Sequence, residues 1–215
     1  MVKKIILIGD STRMGYDKYV KDALGGSAEV YYAPENGRNS TNVLRFAHDW
    51  KRKYEWPTDA DIVLWNAGLW DLLELFGDGP LVPLSHYRDN VPRIDKRLRM
   101  LFPNAKIVFV TSVSIVESSY GPTCKRRNSL IEEYNRAAIE ALSDTDSGIF
   151  DLHAATKNCP ESYRTDGTHF YTDVGREFVG GVVLSFLCSE LGIPAGEVNI
   201  ASFDPEKYSP ENIGY

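Results

Sequence analysis

The chain alternates short apolar segments of strand length with longer segments of helical periodicity. The strand-like segments are residues 3–8, 28–33, 60–66, 106–111 and 148–152. In the segments between and after them, apolar residues recur every three or four positions, as on the buried face of a helix. These helical segments include residues 12–24, 43–50, 86–102, 127–142 and 174–186. Because strands that alternate with helices form parallel sheets covered on both faces, the sequence predicts a three-layer α/β/α fold.

The closing helix and the residues after it carry further expectations. One face of this helix is expected to point to the core through Val174, Phe178, Val182 and Phe186. Gly180 and Gly181 each cost about 1 kcal/mol in a helix, which indicates close packing on the sheet. Residues 193–215 show no strong hydrophobic period, and we expect them to form the C-terminal tail of a single domain spanning residues 1–215.

Length and composition are those of an ordinary globular protein. The 215 residues suit one α/β domain, and 43% of them are hydrophobic and 25% charged. The net charge is -6, with Lys and Arg spread among acidic residues. Because binding to nucleic acid needs a dense basic surface, we expect no nucleic-acid partner.

The amino terminus resembles a secretion signal only in part. Lys3 and Lys4 precede the apolar residues 5–8, but that run is shorter than the ~7–15 residues of a signal's apolar region. The sequence also lacks the ~20 consecutive apolar residues of a membrane span. We expect a protein without a membrane span that is cytoplasmic, or secreted if a signal was removed.

The three cysteines do not suggest a metal site. Cys124, Cys159 and Cys188 lack the spacing of metal ligands, and their odd number leaves at least one unpaired. We expect reduced, partly buried thiols and no bound metal.

The first predicted strand ends in Gly9, Asp10 and Ser11. A serine at a strand-to-helix turn faces outward at the carboxyl end of the strand, and the N–H groups of the new helix point to the same place. A nucleophile and anion-binding donors then converge, which suits acyl transfer. The alternative is a purely structural turn, because Ser and Asp cap helices well.

A candidate base for Ser11 lies near the other end of the chain. Asp166 precedes His169 by three residues, just before the closing helix, so a carboxylate and an imidazole can share one loop. The alternative is a capping Asp beside a surface His. Two such motifs in this order, at opposite ends of one domain, favour catalysis.

The other histidines are weaker candidates. His153 also follows a strand, but its nearest carboxylate, Asp151, lies two positions away on a probable strand, and no helix start is expected at once. His48 and His86 lie inside predicted helices, where they are expected to be solvated or packed.

The Gly9-Asp10-Ser11 and Asp166/His169 motifs resemble those of the SGNH or GDSL hydrolase family. The resemblance extends from residue 5 to about residue 187. It implies a flavodoxin-like sheet of five parallel strands, with a catalytic serine, glycine, asparagine and histidine in four separate blocks. The two motifs match the first and the last block.

The polar loop of residues 34–41 looks like the second block. Because Gly37 has no side chain, its N–H can come close to Ser11, and the resemblance implies that it helps to hold the oxyanion. The order Gly37, Arg38, any residue, Ser40 is similar to polysaccharide acetylesterases of the family. Alternatively, Gly37 only permits a turn with positive φ. Arg38 is either a solvated charge or a substrate contact.

The third block departs from the family pattern, which is usually Gly-x-Asn-Asp. Aligning Gly68 and Asp71 with it places Trp70 where the asparagine should be. Asn66, at the end of the third strand, is a candidate replacement, or it satisfies nearby backbone groups. One missing oxyanion donor costs on the order of 3 kcal/mol, so an efficient esterase needs a replacement.

Two long loops, residues 72–84 and 112–125, are expected at the carboxyl edge of the sheet, where loops commonly line the ligand cleft. Beside them, Trp65 and Trp70 either stack on sugar rings of a substrate or pack in the core.

The sequence as a whole predicts an ester hydrolase that needs neither cofactor nor metal. Ser11 attacks the acyl carbonyl, His169 transfers the proton, and Asp166 orients the imidazole. The N–H groups of Ser11 and Gly37, with Asn66 as a possible third donor, hold the oxyanion.

The resemblance favours a carbohydrate O-acetyl ester, carried on a small molecule or an oligosaccharide, as the substrate. Lipid esters and acyl thioesters remain open within the same mechanism. A non-catalytic carbohydrate-binding relative is an alternative of a different class. A flavodoxin-like nucleotide binder is another, but it leaves Asp166 and His169 without a role.

Overall fold

A computed structural model describes residues 2–198 of the protein. The strands are β1 (Lys3–Ile8), β2 (Ala28–Tyr32), β3 (Ile62–Trp65), β4 (Glu74–Leu75), β5 (Lys106–Val110), β6 (Cys124–Lys125) and β7 (Gly148–Phe150). Five of them form one parallel sheet in the order β2-β1-β3-β5-β7. This is the flavodoxin-like order, so the predicted fold class is confirmed.

Helices cover both faces of the sheet. They are α1 (Ser11–Leu24), α2 (Ser40–Lys53), α3 (Leu84–Leu101), α4 (Asn128–Leu142), α5 (Leu152–Thr156) and α6 (Asp173–Leu191). α1 packs against α6, while α2 packs on α3 and α3 on α4. These contacts give the three-layer α/β/α arrangement.

The central strands are continuous apolar runs because both of their faces are covered. Every residue of β3 is buried, and Ile5, Ile6 and Leu7 of β1 are fully inaccessible. The neighbouring strands β1 and β3 pair with Ile8 opposite Trp65, so their carboxyl ends stop at the same level. Residues that follow these two strands therefore meet at one edge of the sheet.

The two predicted long loops carry a small sheet of their own. β4 lies in the first loop and β6 in the second, and the two strands pair antiparallel. The second loop also contains a turn of 3₁₀ helix, Glu117–Ser119. The sequence did not predict these short strands, because strands of two residues show no hydrophobic period.

The predicted buried face of α6 was wrong at Val174, whereas Phe178, Val182 and Phe186 do pack against the core. Val174 is 51% exposed, and the other three residues of that face are only partly buried. The fully buried apolar positions are Val179, Val183, Leu184 and Leu187. Most positions in the central turns of α6 are apolar. Apolar residues therefore recur every three or four positions on more than one face of this helix, and the pattern does not identify the buried face.

The two helical glycines also differ. A Cβ at Gly180 would lie 2.4 Å from the Tyr19 ring, so Gly180 packs closely on α1 rather than on the sheet. Gly181 has open space around it, and the close packing predicted for it was wrong. Of the predicted tail, residues 199–215 lie outside the described residues.

The three cysteines are partly buried thiols, as expected. Cys124, Cys159 and Cys188 are free thiols of intermediate burial. Within residues 2–198, no three His, Cys, Asp or Glu side chains are grouped so that they could hold a metal ion. No helix in that range combines the length and apolar character needed to cross a bilayer.

Candidate active site

Ser11 is the first residue of α1 and follows the turn at the end of β1. The Asp10 side chain caps the helix by accepting the Thr12 N–H at 2.9 Å. Because the first N–H groups of a helix have no acceptor within it, they are available to a ligand. In the part of the chain that the structure describes, the Ser11 N–H makes no hydrogen bond.

The Ser11 hydroxyl meets the imidazole of His169 from the opposite end of the chain. Ser11 Oγ and His169 Nε2 are 2.7 Å apart, and His169 Nδ1 lies 2.7 Å from Asp166 Oδ2. Since a carboxylate accepts hydrogen bonds, it fixes the tautomer with the proton on Nδ1 and leaves Nε2 as an acceptor. This arrangement can accept a proton from Ser11.

Asp166 is held by its own loop. Its Oδ1 accepts the N–H groups of Thr168 at 2.6 Å and His169 at 2.8 Å. Burial raises the pKa of Asp166, but the hydrogen bond and charge of His169 and the two N–H donors outweigh it and lower this pKa to about 2. Asp166 is therefore ionised at neutral pH and can stabilise an imidazolium.

Tyr171 supports both reacting residues and was not identified from the sequence. Its ring stacks on that of His169, with centroids 4.7 Å apart, and its hydroxyl donates to the Ser11 carbonyl at 2.6 Å. A Cβ at Gly15 would lie 2.8 Å from the Tyr171 ring. The signal in the sequence was Gly15 itself, because a glycine inside a helix costs about 1 kcal/mol and often marks close packing.

Gly37 lies beside the turn that precedes Ser11. Its N–H donates to the Gly9 carbonyl at 2.8 Å, and a Cβ on it would lie 2.5 Å from that oxygen. To stabilise the oxyanion, the Gly37 N–H would have to donate to the oxyanion as well as to the Gly9 carbonyl. The oxyanion role of Gly37 therefore stays a prediction. The alternative of a positive φ at Gly37 was wrong, because the positive φ, 52°, belongs to the exposed Arg38.

Asn66 follows β3 and lies against Gly9. Its N–H donates to the Ile8 carbonyl at 3.0 Å, and a Cβ at Gly9 would be only 1.7 Å from its Oδ1. The side chain is 4% exposed and forms no hydrogen bond within residues 2–198, so it does not satisfy nearby backbone groups. Because buried amides are normally paired, this one has donors available to a ligand.

Comparison with known proteins gives one curated relative. The GDSL esterase/lipase CPRD49 of Arabidopsis thaliana is 29% identical over 118 residues, which are 50% of this chain and 46% of the relative. The chain thus spans about half the length of this relative. No family model matches the chain.

Solved structures match over most of the chain. The lipase/acylhydrolase from Enterococcus faecalis superposes with a TM-score of 0.69 at 18% identity, covering 92% of this chain and 100% of that one. A carbohydrate acetylesterase family member from Sinorhizobium meliloti has a TM-score of 0.66 at 18% identity, with 89% and 100% covered. The acetyl xylan esterase AlAXEase has a TM-score of 0.64 at 20% identity, with 86% and 99% covered.

The resemblance to the SGNH/GDSL hydrolases is confirmed. At these identities the solved structures show a shared fold, and the curated relative carries the GDSL name independently.

Trp65 and Trp70 lie in different surroundings. Trp65 is completely buried, and its ring lies 5.0 Å from that of Phe109 in the core. The prediction that Trp65 contacts substrate was wrong, since both faces of β3 are covered. Trp70, which stands at the usual SGNH asparagine position, is half-buried with the Arg126 guanidinium 6.0 Å from its ring centroid.

Asp71, the last residue of the SGNH third block, ties this loop to the start of α2. Its carboxylate accepts the Ser40 N–H at 3.0 and 2.9 Å and also the Ser40 hydroxyl, which in turn accepts from Asn90 Nδ2 at 3.1 Å. Burial raises the pKa of Asp71 to about 7, against the lowering effect of the Ser40 hydrogen bonds. Because its hydrogen-bond partners are distant in sequence, this role was not predicted.

His153 is placed differently from His169. It lies within α5, so a helix does begin at once, contrary to the expectation. It lines a cavity of about 320 Å³ together with Glu132 and Lys157, and neither Ser11 nor His169 lines that cavity. His48 and His86 are exposed.

Proposed function

We propose that the protein is a serine ester hydrolase that acts through a covalent acyl-enzyme. The observation that carries this proposal is the line of hydrogen bonds from Ser11 Oγ to His169 Nε2 and from Nδ1 to Asp166, at 2.7 Å each. It supplies a nucleophile, a base and an orienting carboxylate in one array.

The reaction follows from this array. His169 Nε2 takes the proton as Ser11 Oγ attacks the acyl carbonyl, and Asp166 stabilises the resulting imidazolium. The imidazolium then protonates the alcohol as the ester C–O bond breaks. In the second half, His169 takes a proton from the water that attacks the acyl-enzyme. The imidazolium then returns this proton to Ser11 Oγ as the acyl–Oγ bond breaks, which releases the acid and restores free Ser11.

Two donors beside Ser11 would hold the tetrahedral oxyanion. The Ser11 N–H makes no hydrogen bond within the described residues, and the Asn66 amide lies against Gly9 without a hydrogen bond of its own. Donors fixed before the reaction stabilise the developing charge without reorganisation. Asn66 thus takes the place of the usual third-block asparagine.

An O-acetyl group on a carbohydrate is the proposed substrate. Two of the structural neighbours are named as an acetyl xylan esterase and a carbohydrate acetylesterase family member. Ser11 is 4% exposed and His169 2%, which suits a small acyl group better than a long chain.

The test combines active-site labelling with turnover. We expect a fluorophosphonate to label the wild-type protein and Ser118→Ala, an exposed control, but not Ser11→Ala, and His169→Ala to be labelled far more slowly. Wild type should hydrolyse 4-nitrophenyl acetate and acetylated xylan faster than 4-nitrophenyl octanoate or acetyl-CoA. A wild-type protein that is neither labelled nor active would contradict the proposal, and faster octanoate or thioester turnover would contradict its substrate.

A further inference from the structure

Arg126 is a buried cation whose hydrogen bonds reach two loops, residues 66–71 (the third-block loop) and residues 112–125. It is 6% exposed, and its guanidinium carbon lies 6.0 Å from the ring centroid of Trp70 and 5.7 Å from that of Tyr120. Aromatic faces attract a guanidinium and shield it from water. The charge is therefore held in a fixed position.

The hydrogen bonds of Arg126 join these loops next to His169. Nε donates to the Leu69 carbonyl at 2.8 Å, and Nη1 donates to the Tyr120 hydroxyl at 2.9 Å. That hydroxyl also forms a hydrogen bond with Thr168 Oγ1, on the residue preceding His169. Arg126 therefore stands between the third-block loop and the loop of the catalytic imidazole.

Within residues 2–198, the positive charge of Arg126 has no anionic partner. No carboxylate among residues 2–198 forms an ion pair with it, and no described residue accepts a hydrogen bond from Nη2. The buried Arg13 and Arg176, by contrast, pair with Asp17 and Asp173. Nη2 is not one of the unpaired side-chain atoms that solvent cannot reach, so it is open to a ligand. Buried charges are normally paired, so an accessible unpaired one suits an external anion.

We propose that Arg126 binds a carboxylate of the substrate, so that the ester hydrolysed at Ser11 carries a negative charge. This inference rests on the proposed ester hydrolase function. One guanidinium with one unused amino group matches a single negative charge, and the adjacent Arg127 is already paired with Glu74 at 2.6 Å. The carboxylate belongs either to the alcohol part, as in an acetylated uronic acid, or to the acyl part, as in a half-ester of a dicarboxylic acid.

Matched substrate pairs separate these two sources. For the alcohol part, kcat/KM is compared between an acetylated methyl glucuronide and the corresponding methyl glucoside. For the acyl part, 4-nitrophenyl hydrogen succinate is compared with 4-nitrophenyl butyrate. We expect wild type to prefer the carboxylate member of one pair by about tenfold at low salt, and the preference to shrink as salt screens the charge.

The variants test whether Arg126 is the origin of this preference. Arg126→Gln should reduce the ratio of anionic to neutral kcat/KM at least fivefold, mainly through KM, and Arg126→Lys should retain part of it. Arg127→Gln, the exposed neighbour, is the matched control and should keep the full ratio. Because a ratio is measured, a partly destabilised variant remains informative.

Two results would overturn the inference. One is a wild-type protein whose kcat/KM shows no preference in either substrate pair. The other is an Arg126→Gln protein whose kcat/KM falls by the same factor on anionic and neutral esters, as expected if Arg126 only supports the structure. Absence of turnover on every ester would instead contradict the hydrolase proposal. In that case calorimetry measures the binding of methyl glucuronide and succinate to wild type and to Arg126→Gln. Binding to wild type that Arg126→Gln abolishes would still support the carboxylate subsite. Absence of binding to wild type would reject it.

Discussion

Two loops meet beside Ser11, and they are held in place in opposite ways. The loop of residues 165–172 is organised mainly by its own residues. Asp166 accepts two N–H groups of this loop as well as the His169 ring, and the Thr165 N–H donates to the His169 carbonyl at 2.9 Å. Hydrogen bonds among a few consecutive residues therefore set most of the geometry of this loop.

The third-block loop, residues 66–71, depends on partners far away in the chain. The Ala67 carbonyl accepts from the Tyr87 hydroxyl at 2.9 Å, and the Leu69 carbonyl accepts from Arg126. Asp71 holds Ser40. The comparison shows that hydrogen bonds within a few residues set the geometry of the Asp166/His169 pair, whereas the third-block loop takes its position from partners elsewhere in the fold.

The strongest test of the self-contained loop is Asp166→Asn. The amide keeps an acceptor for the backbone N–H groups but cannot stabilise the imidazolium or enforce its tautomer, so we expect kcat to fall by about 10³–10⁴-fold. The melting temperature should change little. Steady-state kinetics and thermal melts measure both, with the exposed Asp144→Asn as control. A loss below about tenfold would show that this loop does not organise the catalysis.

Asn66→Ala tests whether the other loop contributes an oxyanion donor. Loss of one such donor lowers kcat by about 10²–10³-fold with little change in KM. The exposed Asn158→Ala is the matched control. If kcat of Asn66→Ala changes by less than a few-fold, Asn66 is not an oxyanion donor.

Tyr171→Phe sharpens the comparison by removing one hydrogen bond from the 165–172 loop to Ser11 while the ring stays on His169. A hydrogen bond contributes about 1 kcal/mol, so we expect kcat to fall by roughly fivefold. Tyr163→Phe removes a hydroxyl that forms no hydrogen bond within residues 2–198, and it should leave kcat unchanged. Equal effects of the two substitutions would contradict the role of Tyr171.

Asp71→Asn should have the smallest effect on turnover and should instead change how stability depends on pH. The pKa of Asp71 is about 7 in the folded protein, above its ordinary 3.8, because of burial. Between these values the folded state binds more protons than the unfolded state, so the stability contributed by this group falls as pH rises from about 4 to 7.

In Asp71→Asn that contribution to the pH dependence should disappear. Urea unfolding at pH 5 and pH 8 measures it, and we expect a smaller loss of stability with rising pH in Asp71→Asn than in wild type. The exposed Asp89→Asn is the matched control and should retain the wild-type loss. An unchanged difference between the two pH values in Asp71→Asn would show that Asp71 does not titrate in this range.

The same contrast explains how much could be predicted from the sequence. The alternation of strands and helices predicted the parallel sheet, and the family resemblance implied its flavodoxin-like strand order. The approach of Ser11 to His169 was predicted because both residues follow strands whose carboxyl ends lie at one edge of such a sheet. The burial of Trp65 could not be predicted, because a strand covered on both faces has no alternation of apolar and polar residues. Trp70 lies in the turn after this strand, where no periodic pattern indicates how far a side chain is buried. The positions of Asp71 and Arg126 were not predicted, because Asp71 accepts from Ser40, 31 residues away, and Arg126 donates to Leu69, 57 residues away.

The close contact between Gly9 and the Asn66 side chain constrains how these two positions can change in evolution. A side chain at Gly9 would collide with Asn66, and the Gly9 carbonyl also receives the Gly37 N–H. A side chain at Gly9 would therefore force the Asn66 side chain to move. We expect lineages that acquire a larger residue at position 9 to have first lost the asparagine at 66, so that these two sites are inherited as a linked pair.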